Sequence, residues 1–338
     1  MIGESVMYCI SEHCGEDFYQ SKTFRFYFED LNIGVIDIET TGLNPSQSHF
    51  VLGGLVVPDS PGKRATQFLS ESADEEITLL HTYLSELKDL DVLISYNGDH
   101  FDLPFLIRRL RRYHISAKEL FLCHSFDLYQ ILNRFSMLRK LLPNLKQKTV
   151  ETFLGLWAER SDEISGAESV ELYHRFLKTG NQAVRDIILL HNRDDIIQLS
   201  RLMKVLEKLD LHEIMFHTGF PVTHQGMKVF IKGIRFQKDS LLISGVHKNI
   251  PIDYRCYQAT HEAVFSAKDG EFTLKIPWMS AKGSRYLDLE DFLFDCSGLE
   301  KFPGYQSGYL LLEDDRKVNY AEINHLIKLI VKEILKEL

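Results

Sequence analysis

Gly34-Val-Ile-Asp37-Ile-Glu39-Thr-Thr-Gly42-Leu43 reads as a buried β-strand running into a turn, and it carries two acids where such a strand carries apolar side chains. Residues i and i+2 of a strand share a face, so Asp37 and Glu39 point one way while Ile36 and Ile38 point the other. Two carboxylates this close repel each other once they leave water, unless a cation lies between them. A divalent metal with oxygen ligands is such a cation. A solvated sheet face with two unconnected acids is the other reading of the strand taken alone, so the rest of the chain has to decide.

Working outward, the strand covers Ile33–Glu39, and Thr40–Pro45 is rich in turn residues. His49–Val57 and Ala65–Leu69 are two more strand-like runs after short turns, which gives an antiparallel meander of three strands. The period then changes. Ile77, Leu80, Leu84 and Leu87 recur at helical spacing within Glu75–Lys88, Asp91–Ser95 returns to strand character, and a helix follows over Leu103–Tyr113. A helix, a buried strand and another helix indicate a parallel βαβ unit, with Phe121–Phe126 as a fifth strand. Helices are expected over Leu128–Arg139, Leu145–Leu154, Val170–Lys178 and Gln182–Leu209, the last with Asn181 as its N-cap. The expected fold is therefore α/β: a mixed sheet of three antiparallel strands and then parallel βαβ units, flanked by helices.

Lys228–Ile276 reads as several β-runs, and Tyr320–Leu338 has apolar residues at helical spacing, so a smaller β-rich C-terminal domain ending in a helix is expected. The expected division is an N-terminal lead-in over residues 1–30, the α/β domain over 31–212 and the β-rich domain over 213–338. Phe24, Phe26, Tyr27 and Phe28 belong to the lead-in, read as an extended segment packing on the first sheet.

Two further segments supply acids. Asn97-Gly-Asp-His-Phe101-Asp102-Leu-Pro104 follows the strand at 91–95 and leads into a helix, which places Asp102 at a strand-to-helix junction near a helix N-terminus. An N-cap aspartate is the other reading there. In the long helix, Val184, Ile188, His191, Asp195, Leu199, Leu202 and Leu206 share one stripe, so two polar residues interrupt an apolar face. A core histidine with an acidic partner would give the same pattern. Asp194, on the adjacent row, competes with Asp195. Four carboxylates and a histidine from separate elements suit two-metal phosphodiester hydrolysis, with His191 taking the proton of the attacking water.

The bulk composition sets limits. In 338 residues, 44% are hydrophobic and 26% charged, which is ordinary for a globular protein of one or two domains. No window approaches the roughly 18 uninterrupted apolar residues of a membrane span, so no membrane insertion is expected. The first nine residues lack a basic start and a long apolar core, which argues against a secretory signal, and five scattered cysteines make no disulfide framework. A cytoplasmic location is expected. Cys9, His13 and Cys14 resemble half of a metal site but have no second half, and they read as unrelated residues. Residues 221–338 hold 16 basic and 16 acidic residues, so the whole net charge of −9 falls on residues 1–220. Such acidity argues against tight nonspecific binding of nucleic acid, although metals held by carboxylates can still bind phosphate.

At this point the chain resembles a known family. Asp37-x-Glu39-Thr-Thr-Gly-Leu is similar to the first motif of the DEDD superfamily of 3′–5′ exonucleases, which have a ribonuclease H-like fold. Asn97-Gly-x-x-Phe101-Asp102-x-Pro-Phe resembles the second motif as found in family B polymerase proofreading domains, and His191-Asn-Arg-Asp-Asp195 stands where the third belongs. Leu145-Lys-x-x-x-Val150-Glu-x-Phe-Leu-Gly155, with Ser165-Gly166, Leu172-Tyr173 and Thr179-Gly180, is similar to the YprB-like branch. The resemblance covers about residues 30–210. It implies that Asp37, Glu39, Asp102 and Asp195 bind two Mg²⁺ or Mn²⁺ ions. It also implies that Thr40, Gly42, Leu43, Asn97 and Phe101 line the pocket for the last nucleotide of a single-stranded 3′ end. Members usually carry tyrosine with three residues between it and the last aspartate, or histidine with four. This chain has histidine with three intervening residues, so His191 stands in the tyrosine's register. Histidine is a competent base near neutral pH.

Arg108 and Arg109, with Arg111 and Arg112, follow the second motif on a helix and are read as holding the phosphate backbone, a solvated basic face being the alternative. Asp127 is read as a helix cap or a support behind the ligands. Tyr254, Tyr257, Phe265 and Phe272 allow stacking on single strands, and core packing explains them better. Two other functions compete: an exonuclease-like module that binds nucleic acid or a protein without efficient turnover, and a phosphatase of the haloacid dehalogenase type. The latter chemistry wants aspartate where Glu39 stands.

Overall fold

The structure, a computed structural model, describes residues 7–156 and 164–338. These fall into two compact units, one holding the described chain up to Ser21 together with Leu31–Leu209, the other holding Lys22–Asp30 and Asp210–Leu338.

The first unit opens with β1 (Tyr8–Cys14). Past α1 (Lys22–Phe28), which belongs to the second unit, come β2 (Ile33–Thr40), β3 (Phe50–Pro58), β4 (Lys63–Leu69), α2 (Glu76–Leu87), β5 (Val92–Ser95) and α3 (Asp102–Arg112). They are followed by α4 (Lys118–Phe121), β6 (His124–Asp127), α5 (Leu128–Phe135), α6 (Leu138–Leu141), α7 (Gln147–Phe153), α8 (Gly166–Thr179) and α9 (Gln182–Leu202). The strands form one six-stranded sheet in the order β1-β4-β3-β2-β5-β6. Pairing is antiparallel from β1 to β2 and parallel from β2 to β6, the expected meander followed by parallel βαβ units. β2 is the strand where one mode of pairing gives way to the other.

Both faces of this sheet are covered. Ile36 and Ile38 of β2 pack with Leu79 and Leu80 of α2 and with Phe105 and Leu106 of α3. On the opposite face Leu52 and Leu69 pack with Tyr173 and Phe176 of α8 and with Val184 and Ile188 of α9. Each fully buried aliphatic or aromatic side chain contributes roughly 1.5–3 kcal/mol, so the two clusters hold the sheet from both faces. Period-2 alternation therefore aims Asp37 and Glu39 at the α8–α9 side, away from the isoleucines.

The elements differ from expectation in several places. The helix expected over Leu128–Arg139 breaks at Ser136, whose extended backbone separates α5 from α6. The fifth strand of the expectation begins at His124, because Phe121 closes the short α4. The long helix is α-helical to Leu202 and continues as a 3₁₀ turn over Met203–Lys208.

Residues 1–30 are not a single lead-in. The first six lie outside the described residues, β1 is an edge strand of the first sheet, and the aromatic run is the helix α1 of the second unit. Phe24, Tyr27 and Phe28 stand at i, i+3 and i+4 and share the buried face of that helix. α10 (Leu211–Thr218) belongs to the same unit, and Asp210 caps it by accepting from the N–H groups of His212 and Glu213, so that unit starts at Asp210 rather than at residue 213. A six-stranded antiparallel sheet follows over residues 221–277, then a smaller antiparallel sheet over 279–318, and finally α11 (Tyr320–Glu337). Ile323, Leu326, Ile327, Ile330 and Ile334 of α11 are buried within its own unit. Phe265 and Phe272 are core residues of the large sheet, and of the four aromatic residues considered for stacking only Tyr257 is exposed.

Among the described residues no helix is long and apolar enough to cross a membrane. The five cysteines are free thiols.

Candidate active site

The cleft is built from β2 outward. Asp102, the first residue of α3, turns its carboxylate back so that Oδ1 accepts the N–H of Ile38 at 3.2 Å, the strand amide that lies between Asp37 and Glu39. The loop before α3 is set by Asn97, whose φ of 67° suits asparagine better than most residues. Asp127 fixes that loop. It accepts the N–H of Asn97 at 2.8 Å and of Asp99 at 3.2 Å while capping α5 through Gln130 at 3.2 Å. Asp127 is thus both the helix cap and the support for the second motif.

α9 brings the remaining groups. Its stripe puts His191 Nε2 3.6 Å from Glu39 Oε1 and 3.5 Å from Asp195 Oδ2. Asp194, one residue earlier, is buried and turns aside to pair with Arg193 at 3.1 Å, so Asp195 is the aspartate in the cleft. Asn192, fully buried, reaches Asp37 from behind, Nδ2 donating to Oδ2 at 2.9 Å.

Burial raises the pKa values of Asp37, Glu39 and Asp102, and neighbouring carboxylates add to it. Asp37, partly open to the cleft but enclosed by protein, is pushed well above the usual carboxylate range by burial and then by the charges of Asp195, Asp102 and Glu39. Burial also pushes Glu39 up to about 7, with His191 pulling the other way. Asp102 is pushed up to about 7, again by burial, against the hydrogen bonds from its own N–H and from Ile38. The surroundings of these carboxyls therefore favour their protonated forms, and a cation would compete with those protons.

Glu39, His191 and Asp195 each offer a ligand atom, all within 4.8 Å of one another, so this buried group can hold a metal ion. Oxygen ligands with one imidazole suit magnesium or manganese, and the raised pKa values of the acids are what a cation among them would relieve.

The cleft has a volume of about 990 Å³, and it brings together Asp37, Glu39, Thr40, Gly42, Leu43, Asn97, Phe101, Asp102, His191 and Asp195. Arg108 and Arg109 do not line it. Arg109 is 1% exposed and locked to Glu76, with its Nη1 donating to the Pro45 carbonyl at 2.8 Å, so it cannot meet a phosphate. Its position four residues after Phe105 and beside Leu106 and Leu110 puts it on the buried face of α3, a placement helical spacing could have revealed. Arg108 is exposed on the other side of that helix.

Sequence reasoning gave no site role to the far wall of the cleft: Lys146, Gln147 and Lys148 at the start of α7, and Ser165, Glu168 and Glu171 at the start of α8. The two lysines bring positive charge opposite the acids. Lys148 Nζ donates to the Ile164 carbonyl at 2.6 Å, and Gln147 Nε2 donates to the Asp195 carbonyl at 3.0 Å. Nothing local distinguishes these lysines from a solvated pair.

Comparison with known proteins adds the following. The family described as the RNase H superfamily matches residues 35–207. The uncharacterized protein MJ0365 of Methanocaldococcus jannaschii is 30% identical over 186 residues, which cover 53% of this chain and 97% of that protein. Among solved structures, the family B DNA polymerase of Pyrobaculum calidifontis is 17% identical with a TM-score of 0.43. That match covers 59% of this chain and 29% of the polymerase chain.

Proposed function

Because the chain belongs to the RNase H superfamily, we propose that it is a metal-dependent 3′–5′ exonuclease of DNA or RNA, of the DEDD type and its YprB-like branch. The observation that carries this reading is the convergence of Asp37, Glu39, Asp102 and Asp195, from three separate segments, with His191 in one cleft. Asp37, Glu39, Asp102 and Asp195 would hold two Mg²⁺ or Mn²⁺ ions, which when bound supply charge stabilisation for the attacking and leaving oxygens of a phosphodiester.

The chain's own residues have separable tasks. His191 Nε2 faces both Glu39 and Asp195 and is the atom that would receive the proton of the attacking water, as a neutral imidazole can near pH 7. The same atom can serve as a ligand instead, but not while it takes the proton. Thr40, Gly42, Leu43, Asn97 and Phe101 form the wall against which the terminal nucleotide of a single-stranded 3′ end would lie. Lys146 and Lys148 offset the acids opposite them for an anionic substrate.

Incubating 3′-labelled single-stranded DNA and RNA of one sequence with Mn²⁺ or Mg²⁺ tests the reading. Stepwise loss of mononucleotides is expected, abolished by chelator and by Asp37→Ala. Activity that survives either control overturns the two-metal mechanism. Binding without hydrolysis in any metal favours the inactive-module alternative.

A further inference from the structure

Asp37 is held from behind by a chain of side-chain amides. Asn192 donates from Nδ2 to Asp37 Oδ2 at 2.9 Å, and its Oδ1 accepts from Gln67 Nε2 at 2.9 Å. Gln67, buried on β4, gives the second hydrogen of Nε2 to the Leu189 carbonyl at 2.9 Å. A carbonyl can only accept, so this last bond fixes the orientation of the glutamine amide. The glutamine in turn requires an oxygen from Asn192, and the asparagine must then present its N–H groups to Asp37. The opposite flip would set Asn192 Oδ1 against a carboxylate.

The backbone is shaped to this arrangement. Gly54 stands opposite Asp37 in the β2–β3 register, and a Cβ there would lie 2.4 Å from Asn192 Oδ1. Only glycine leaves the space that the amide occupies. Residues from β3, β4 and α9 therefore act together on one oxygen of Asp37.

We propose that the Gln67–Asn192 amide pair is a positioning device for the metal site, occupying one lone pair of Asp37 Oδ2 and so orienting the carboxylate toward the ion. The inference rests on the metal-site reading above. A merely structural amide pair would join α9 to the sheet and have no effect on the ion. Partners that orient a metal ligand typically change metal affinity 10–100-fold when removed.

The experiment is Mn²⁺ titration of the full chain without nucleic acid, with free Mn²⁺ read by electron paramagnetic resonance, for wild type, Asn192→Leu and Gln67→Met. Asn192→Leu is expected to weaken Mn²⁺ binding roughly 10–100-fold, and Gln67→Met, which spares the direct contact to Asp37, by less, about 3–10-fold. The Mn²⁺ concentration for half-maximal nuclease activity should shift by the same factors. If either variant folds by circular dichroism and binds Mn²⁺ with wild-type affinity, the pair is structural only and the proposal falls. If wild type itself binds no Mn²⁺, the metal-site reading fails first and takes the proposal with it. Gln67→Met keeps the test decisive should Asn192→Leu fail to fold.

Discussion

Among the described residues of the first unit, buried acid is treated in opposite ways at two places, around Glu76 and around Asp37. Around Glu76, at the start of α2, every lone pair is met: Arg109 binds it with two nitrogens, Tyr113 donates at 2.7 Å, His49 lies at 2.8 Å and the N–H of Phe50 at 2.8 Å. Burial pushes the Glu76 carboxyl up, but these donors, Arg109 foremost, overcome it and hold the group below its ordinary value. Around Asp37, Glu39 and Asp102 burial is the largest influence as well, and there it prevails. The first cluster is neutralised by the protein and holds structure together, including the 40–49 loop through Arg109 and Pro45. The second is left short of positive charge, which is the arrangement a site needs if an ion is to come from solution.

Breaking the compensated cluster should have the largest effect. Arg109→Ala leaves Glu76 buried without its principal partner, and a loss of about 3–5 kcal/mol in unfolding free energy is expected by urea denaturation. The double variant Glu76→Leu with Arg109→Met should recover much of it, since an apolar pair leaves no lone charge. Asp37→Asn reverses the pattern. Nuclease rate should fall roughly 10²–10³-fold, as when one group stabilising transition-state charge is lost, while the metal-free protein becomes no less stable. A destabilised metal-free Asp37→Asn protein would show that the acids around β2 are compensated after all.

The residues of the two clusters were legible in the sequence to unequal degrees, for physical reasons. Asp37 and Glu39 stood out because a period-2 strand made them alternate with isoleucines, and Asp195 stood out from Asp194 because it shares the apolar stripe of α9. The mixed sheet followed from one change of hydrophobic period, from strand to helix, near residue 75. Arg109 was misread because a run of arginines looks solvated, although its place beside Phe105 and Leu106 marks the buried face. Asn192, Lys146 and Lys148 gave no local signal. Their roles arise only when segments distant in the sequence are brought to the same cleft.

The pH dependence of stability should differ in sign between the clusters. Glu39 and Asp102, pushed up to about 7, keep protons in the folded state that unfolded carboxylates with pKa near 4 have already released. Their contribution is complete below about pH 4 and is lost as pH rises through about 7, on the order of 1–2 kcal/mol once partial solvation of the cleft is allowed for. Glu76, held low, contributes above the unfolded pKa and loses that contribution only in acid. Metal-free thermal melts should therefore show the midpoint falling between pH 5 and 8, and millimolar Mn²⁺ should restore it most at pH 8. A midpoint that is flat with pH, with or without Mn²⁺, would place the Asp37 cluster in the same class as the Glu76 cluster.

The smallest expected effect is the sharpest test, because it compares neighbours. Asp194 and Asp195 are adjacent on α9, yet Asp194 pairs with Arg193 at 3.1 Å while Asp195 lies 3.5 Å from His191 in the cleft. Asp194 therefore belongs with Glu76 in kind, and Asp195 with Asp37. Asp194→Asn keeps the shape and much of the hydrogen bonding to a half-exposed arginine, so stability should fall by about 1 kcal/mol or less and nuclease rate should stay within about twofold. Asp195→Asn, identical in chemistry and one residue away, should cost roughly 10²-fold in rate and weaken Mn²⁺ binding. Equal losses at the two positions would mean that α9 presents its acids in another register, and the division between compensated and uncompensated acid would no longer separate structure from chemistry in this unit.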